Sequence, residues 1–350
     1  MQQPTYDEQI TMKNEMKLRE LCAGLPAFCK EFFRGIEPTT SSRTRIAYAY
    51  DLKIFFHFLQ EKYPDIEESD LQNWPVTVLD KVTLTQLEEY LDYLRLYEDA
   101  ENKVHTNEER GRMRKTASIR TFYKFFYRKQ VIKNNTASLL NLPKKHEHTI
   151  VRLEIDEIAK LLDAVEEGDN LTKSQKKYHN KTKIRDLAIL TLLLGTGIRV
   201  SECVGIDISN LDFETNGMKI HRKGGADVIL YFGEEVREAL LDYLEEREKI
   251  IPKEGSENAL FLSMQKRRIS VRAVENLVKK YARPVTPLKT ITPHKLRSTY
   301  GTQLYQETGD IYLVADVLGH KDVNTTRKHY AAMEDQRRRM AAGKIQLREK

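Results

Sequence analysis

Thr292-Pro293-His294-Lys295-Leu296-Arg297 writes the start of a helix with two cationic side chains in its first turn. Threonine suits the N-cap, and proline suits the first helical position, where its missing N–H costs nothing. His294 and Arg297 then stand three apart, hence on one face. The positive end of the helix favours an anion at the same place. Downstream, Leu318-Gly319-His320 reads as a helix closed by glycine. Asn324 can cap the helix that follows, which carries Tyr330. A lone tyrosine on a helix is usually packing.

Upstream, the apolar run Leu187–Leu194 is a buried helix bounded by Arg185 and Asp186 before it and by Gly195 after it. In Gly195-Thr196-Gly197-Ile198-Arg199-Val200-Ser201-Glu202 the chain turns at the glycines and presents Arg199 at the edge of that core. An arginine there can address a phosphate with its bidentate fork, or pair with a neighbour such as Glu202. Between these segments, Met218–Arg222 and Val228–Phe232 flank a Gly224-Gly225 turn and predict a hairpin with Lys223 at its tip. A tip lysine can deliver a charge or a proton into a groove, or simply keep the edge soluble.

Taken in order, an arginine, a lysine on a hairpin, HxLR, LGH and a tyrosine, these segments resemble the catalytic domain of the tyrosine recombinase family, also called the phage integrase family. Arg199, Lys223, His294, Arg297, His320 and Tyr330 each fall on a motif position. Tyr330 stands one residue further from the LGH histidine than is usual in the family, and no other tyrosine occurs in "NTTRKHYAAM". Segments such as "NKTKIRDLAILTLLLGTGIRVSE", "RKGG" and "ITPHKLRSTYGTQLY" look like the single-recombinase Xer type, similar to XerS.

The resemblance implies a mainly α chain with a small β-hairpin or sheet in its C-terminal domain. A helical core-binding domain and a mixed α/β catalytic domain would form a clamp around DNA. It also implies site-specific cleavage and rejoining through a 3′-phosphotyrosine on Tyr330, with no metal, ATP or other cofactor. Arg199 and Arg297 would hold the scissile phosphate, His320 would add a hydrogen bond, His294 would take the tyrosine proton and Lys223 would protonate the leaving oxygen. The implied partners are double-stranded DNA with a specific recombination site, a homo-tetramer on two duplexes, and an accessory activator in some systems. Gln336–Lys350 would be a docking tail, or a frayed basic end. By this resemblance the task is Xer-type chromosome dimer resolution, and the alternative is an integrase or excision recombinase of a mobile element. A binding protein that has lost catalysis and a type IB topoisomerase are the readings from other classes.

The rest of the sequence is compatible. Its 350 residues allow two domains, and 40% hydrophobic with 31% charged residues describe a folded globular chain. No apolar run reaches the roughly 18 residues of a membrane span. Three cysteines without metal spacing suit a reduced, cytoplasmic protein. The net charge of +6 is modest, but the charge is clustered. Arg110–Lys133 and Leu171–Arg185 contain many cations and no acid, as expected where a polyanion is met from two sides, although either run alone is equally a solvated face. Arg114, Lys115, Arg120, Lys124, Arg128, Lys176 and Lys177 are the candidate DNA-binding residues.

A polar, proline-containing segment near residue 145 marks a boundary. Residues 1–145 are expected to be a helical DNA-binding domain with an extension over 1–38, residues 146–152 a linker, and 153–350 the catalytic domain. Helices are expected from caps at Ser41 and Ser42 through Tyr50 to Leu59, with Ile46, Tyr50, Ile54 and Phe58 recurring at helical spacing. Others are expected after Thr83, and at Lys115–Arg128, where Ile119, Phe122 and Phe126 would face the core. Later helices are expected at Ile155–Val165, Arg185–Leu194, Glu235–Arg247 and Val271–Tyr281. Asn170–Lys183 lacks an apolar period and reads as a basic surface loop.

Overall fold

A computed structural model describes residues 5–99, 102–141, 151–222, 225–320 and 322–324. The chain divides into two compact units, Met1–His148 and Thr149–Lys350. Residues 146–150 of the expected linker lie outside the described residues.

In the first unit the elements run α1 (Tyr6–Ala23), α2 (Cys29–Ile36), α3 (Ser42–Lys62), α4 (Val78–Lys81), α5 (Leu84–Tyr93), a short ribbon β1 (Leu96–Glu98) and β2 (Val104–Thr106), then α6 (Glu109–Arg128). Local chemistry sets the starts. Ser41 Oγ accepts the Thr44 N–H at the head of α3, and Thr83 with Gln86 forms a capping box at the head of α5. The core is aromatic. Phe28 and Phe32 pack on Phe122 from α6, and Phe56 and Trp74 close the same cluster. Ile119, Phe122 and Phe126 are fully buried, as their spacing predicts.

Two expectations shift here. On α3 the buried apolar residues are Ala49, Leu52, Phe55, Phe56, Phe58 and Leu59. Of the expected positions Phe58 is buried and Ile46 and Ile54 pack against the core, whereas Tyr50 is exposed. Leu52, Phe55, Phe56 and Leu59 follow the i, i+3, i+4, i+7 rule and form the larger apolar face, so they win the core. The last helix begins at Glu109 rather than Lys115. Its extra turns are held by polar bonds that apolar periodicity does not register: Arg114 grips the buried Asp51, and Lys115 donates to Asn107 Oδ1 at 2.5 Å.

The second unit contains α7 (Ile155–Glu167), α8 (Lys173–Thr196), α9 (Val200–Gly205), an antiparallel sheet β3 (Leu211–Asp212), β4 (Gly217–His221) and β5 (Asp227–Tyr231), then α10 (Glu234–Glu248), α11 (Val271–Val285), α12 (Pro293–Thr308) and α13 (Ile311–Leu318). Ala188–Leu194 of α8 is buried on all sides, between α7, α10 and α12. Each such leucine contributes roughly 1.5–3 kcal/mol. Met218 pairs with Leu230 across the hairpin and Ile220 with Val228. Leu153 N–H donates to Thr299 Oγ1, which seats the start of the unit on α12.

The segment expected to be a basic loop is helical. Thr172 and Gln175 form a capping box, and α8 runs unbroken from Lys173. The buried face of its first half is polar: His179, Thr182 and Asp186 recur at helical spacing and point inward. Thr182 Oγ1 and Tyr281 Oη both donate to Asp186 Oδ2, and His179 Nδ1 lies 3.2 Å from Tyr281 Oη. A helix whose inward stripe is hydrogen-bonded rather than apolar leaves no hydrophobic period to detect.

Candidate active site

The site is built around the ends of two helices. At the end of α8, Gly197 takes a left-handed conformation (φ +61°). A β-carbon there would lie 2.4 Å from the Tyr300 ring, so both conformation and space demand glycine. The chain then extends through buried Ile198 to Arg199, the N-cap of α9. Glu202, three residues on, accepts the Arg199 backbone N–H at 3.0 Å and Nη1 at 2.7 Å. Its carboxylate is 4% exposed and the arginine side chain 32%, so the acid fixes the base at the edge of the core.

At the end of α13, Gly319 is again left-handed (φ +59°), and a Schellman turn follows. Its two bonds are His320 N–H to the Ala315 carbonyl at 2.9 Å and Gly319 N–H to the Asp316 carbonyl at 2.8 Å. Arginines donate to the last carbonyls of the helix, that of Asp316 included. Arg222 donates from Nη1 to Asp316 at 3.1 Å and from Nη2 to Val317 at 2.6 Å. Arg199 Nη2 donates to Leu318 at 3.2 Å and Gly319 at 2.9 Å. Arg297, 5% exposed on α12, donates to the Leu318 carbonyl and, at 2.5 Å, to that of Gly197. Three cations therefore meet the negative end of one helix dipole. Burial lowers the Arg222 pKa, and neighbouring Arg199 acts the same way against the pull of Glu202.

The structure thus brings Arg199 and Arg297 together at the LGH turn, with half-buried His320 in that turn. His294 is exposed in the first turn of α12. Thr292 is the N-cap by position, through its backbone carbonyl, which accepts the Lys295 and Leu296 N–H groups; its side chain makes no capping bond. Near Asn324 the capping acceptor is Asp322, which takes the Asn324 N–H at 2.9 Å. Lys223, Tyr330 and the tail Gln336–Lys350 lie outside the described residues. Sequence reasoning passed over Arg222, because its partners are backbone carbonyls 94 and 95 positions later, which no motif encodes.

The candidate DNA-binding residues divide. Lys124 and Arg128 are exposed on α6, with Arg120 half-exposed, and Lys176 and Lys177 are exposed on α8. Arg114 is half-exposed and paired with Asp51, itself fully buried. Lys115 departs from the expectation: at 7% exposure its ammonium is turned inward to Asn107.

Comparison with known proteins places this geometry. Residues 151–337 match the phage integrase family. Tyrosine recombinase XerC of Caldanaerobacter subterraneus is 34% identical over 318 residues, covering 88% of this chain and 82% of that protein. The chain belongs to the phage integrase family. Tyrosine recombinase XerD of Oceanobacillus iheyensis is 28% identical over 84% of this chain and 89% of its own length. Among solved structures, the XerH site-specific recombinase in its post-cleavage complex with a palindromic difH substrate shares the fold, with a TM-score of 0.63, 18% identity and 89% of each chain covered. Like its relatives the chain is a site-specific DNA recombinase of the Xer type, and its fold is mainly helical.

Proposed function

We propose that this recombinase breaks and reseals DNA strands through Tyr330, and that its task is Xer-type resolution of chromosome dimers by a single recombinase in the cytoplasm. The carrying observation is that Arg199 and Arg297, 98 positions apart, converge on one backbone carbonyl. Preorganised cations at a single point suit a phosphoryl group, whose transfer is chiefly a matter of positioning and charge stabilisation.

Tyr330 Oη attacks phosphorus, the P–O5′ bond breaks, and a 3′-phosphotyrosyl bond replaces it. A phenol with a pKa near 10 is a weak nucleophile at neutral pH, so its proton passes to His294. Lys223 gives a proton to the departing O5′. Arg199 and Arg297 neutralise the non-bridging oxygens, with His320 as a further donor. The covalent bond conserves the energy of the broken one, and the return attack of a 5′ hydroxyl needs neither ATP nor a metal ion. Exchange between two duplexes calls for four subunits, a homo-tetramer, with the C-terminal tail docked on a neighbour.

Covalent trapping tests this reading. The protein and Tyr330→Phe are incubated with sheared genomic DNA nicked to prevent resealing, denatured, and the protein-linked fragments sequenced. Adducts on a narrow set of sequences with the wild type and none with the variant support it. A single locus near the replication terminus identifies dimer resolution, and the ends of an element identify a mobile-element integrase. Tight binding without adducts overturns the catalytic reading. Relaxation of plasmids lacking any site reassigns the chain as a topoisomerase.

A further inference from the structure

The Arg222 side chain crosses from the β4–β5 hairpin to the far end of α13. Its backbone closes the hairpin: its N–H donates to the Ala226 carbonyl at 2.8 Å and its carbonyl accepts the Gly225 N–H at 3.1 Å. The guanidinium occupies the carbonyls of Asp316 and Val317, directly before the Leu318 and Gly319 carbonyls that bind Arg199 and Arg297. It also packs directly on the glycine of the LGH turn: a β-carbon at Gly319 would stand 2.3 Å from Arg222 Nη1. Within the hairpin, His221 and Lys219 both reach Asp227.

The two phosphate-clamping arginines are held elsewhere as well, Arg199 by Glu202 and Arg297 by the Gly197 carbonyl. Removing Arg222 therefore leaves the arginine pair anchored. It removes the described side-chain tie between the hairpin and the helix end. The residue that follows Arg222 in the chain is Lys223.

We infer that Arg222 is a positioning residue that locks the Lys223 hairpin onto the LGH turn, so that the proton donor and the arginine clamp share one frame of reference. This rests on the reading of Lys223 as the donor to O5′. Displacement of a reacting group by about 1 Å costs on the order of 10²-fold in rate, which sets the expected size of the effect.

The test separates proton delivery from phosphate binding. Nicked duplexes carrying a site recovered by covalent trapping are made with either oxygen or sulfur bridging phosphorus to the 5′ carbon. When sulfur bridges, the P–S bond breaks and a thiolate leaves; with a thiol pKa near 8.5 it needs no proton. Single-turnover cleavage and DNA affinity are measured for the wild type, Arg222→Ala, Arg222→Lys and Lys223→Ala. Arg222→Ala is expected to slow cleavage of the oxygen substrate about 10²-fold, to cleave the sulfur substrate at nearly the wild-type rate, and to bind DNA unchanged. Arg222→Lys, able to reach one carbonyl at a time, falls between.

If Lys223→Ala is rescued by sulfur and Arg222→Ala is not, or if Arg222→Ala cleaves the oxygen substrate normally, the positioning role is wrong. If Lys223→Ala itself is not rescued, the donor reading of Lys223 fails instead. Thermal unfolding of Arg222→Ala distinguishes either result from a folding defect.

Discussion

Arg199 and Arg297 donate to the same oxygen, the Leu318 carbonyl. Two guanidiniums so close repel one another, and the arrangement stands because negative charge is supplied on both sides. Glu202 pairs with Arg199, and the end of α13 presents its carbonyls to both. Backbone carbonyls and the Glu202 carboxylate together offset the charge of the arginine pair.

Replacing Arg297 by lysine keeps the charge but removes the two-pronged donor that spans the Gly197 and Leu318 carbonyls. Covalent adduct formation should fall by about 10²–10³-fold, the usual cost of losing one preorganised donor. Equilibrium DNA binding, carried mostly by other phosphate contacts, should change much less. Equal losses in both measurements would show that Arg297 acts in binding alone.

Gly197→Ala and Gly319→Ala should each destabilise the second unit. Left-handed backbone costs an alanine roughly 1–2 kcal/mol before any clash. The added carbon then meets the Tyr300 ring in one case and the Arg222 guanidinium in the other. The two variants should differ in function. Gly319→Ala pushes on the positioning arginine and should slow cleavage beyond its effect on melting, whereas Gly197→Ala disturbs the Arg297 acceptor. Melting temperatures that match the wild type would contradict the geometry of both turns.

The buried His179–Tyr281–Asp186 cluster should make stability fall in mild acid. Burial, with Lys280 next in effect, holds folded His179 below the ordinary value of 6.5. As pH drops through 6.5 the unfolded chain takes up a proton that the folded chain refuses, so unfolding gains and this contribution to stability is lost. Thermal unfolding followed from about pH 8 to about pH 5.5 should show the decline. In His179→Gln it should be shallower, and an unchanged slope would place the titrating group elsewhere.

Lys124→Ala and Arg128→Ala should each lower the slope of log affinity against log salt by about 1, as expected for a lost phosphate contact. Both side chains are exposed on α6. Lys115→Met should leave that slope alone and instead lower stability, since the buried ammonium is the partner of Asn107. A change of salt slope in Lys115→Met would reverse this assignment.

Much of this was legible in the sequence wherever a local rule governs. The helix start after Thr83, the apolar stripe Ile119–Phe122–Phe126, the hairpin over residues 218–232, and the glycine-closed helix before His320 all follow from short-range sterics and periodicity. The ordered motif residues were likewise sufficient to point to the phage integrase family. Where the buried face of a helix is polar, the same rules fell silent. The first half of α8 and the first turns of α6 are held by Asp186, Tyr281, Asp51 and Asn107, and hydrogen bonds leave no apolar period.

Tertiary structure alone decided which cations face inward and which acceptors they find. The motif order marks Arg199 and Arg297, but in the sequence Arg222 is one arginine among many. Only the packing of α12 and the hairpin against the end of α13 gathers them on consecutive carbonyls. A backbone carbonyl has no side-chain identity, so a site built on carbonyls leaves no trace in the residues that supply them. Its position is fixed by where the helix ends, and its function by what the rest of the fold brings to that end.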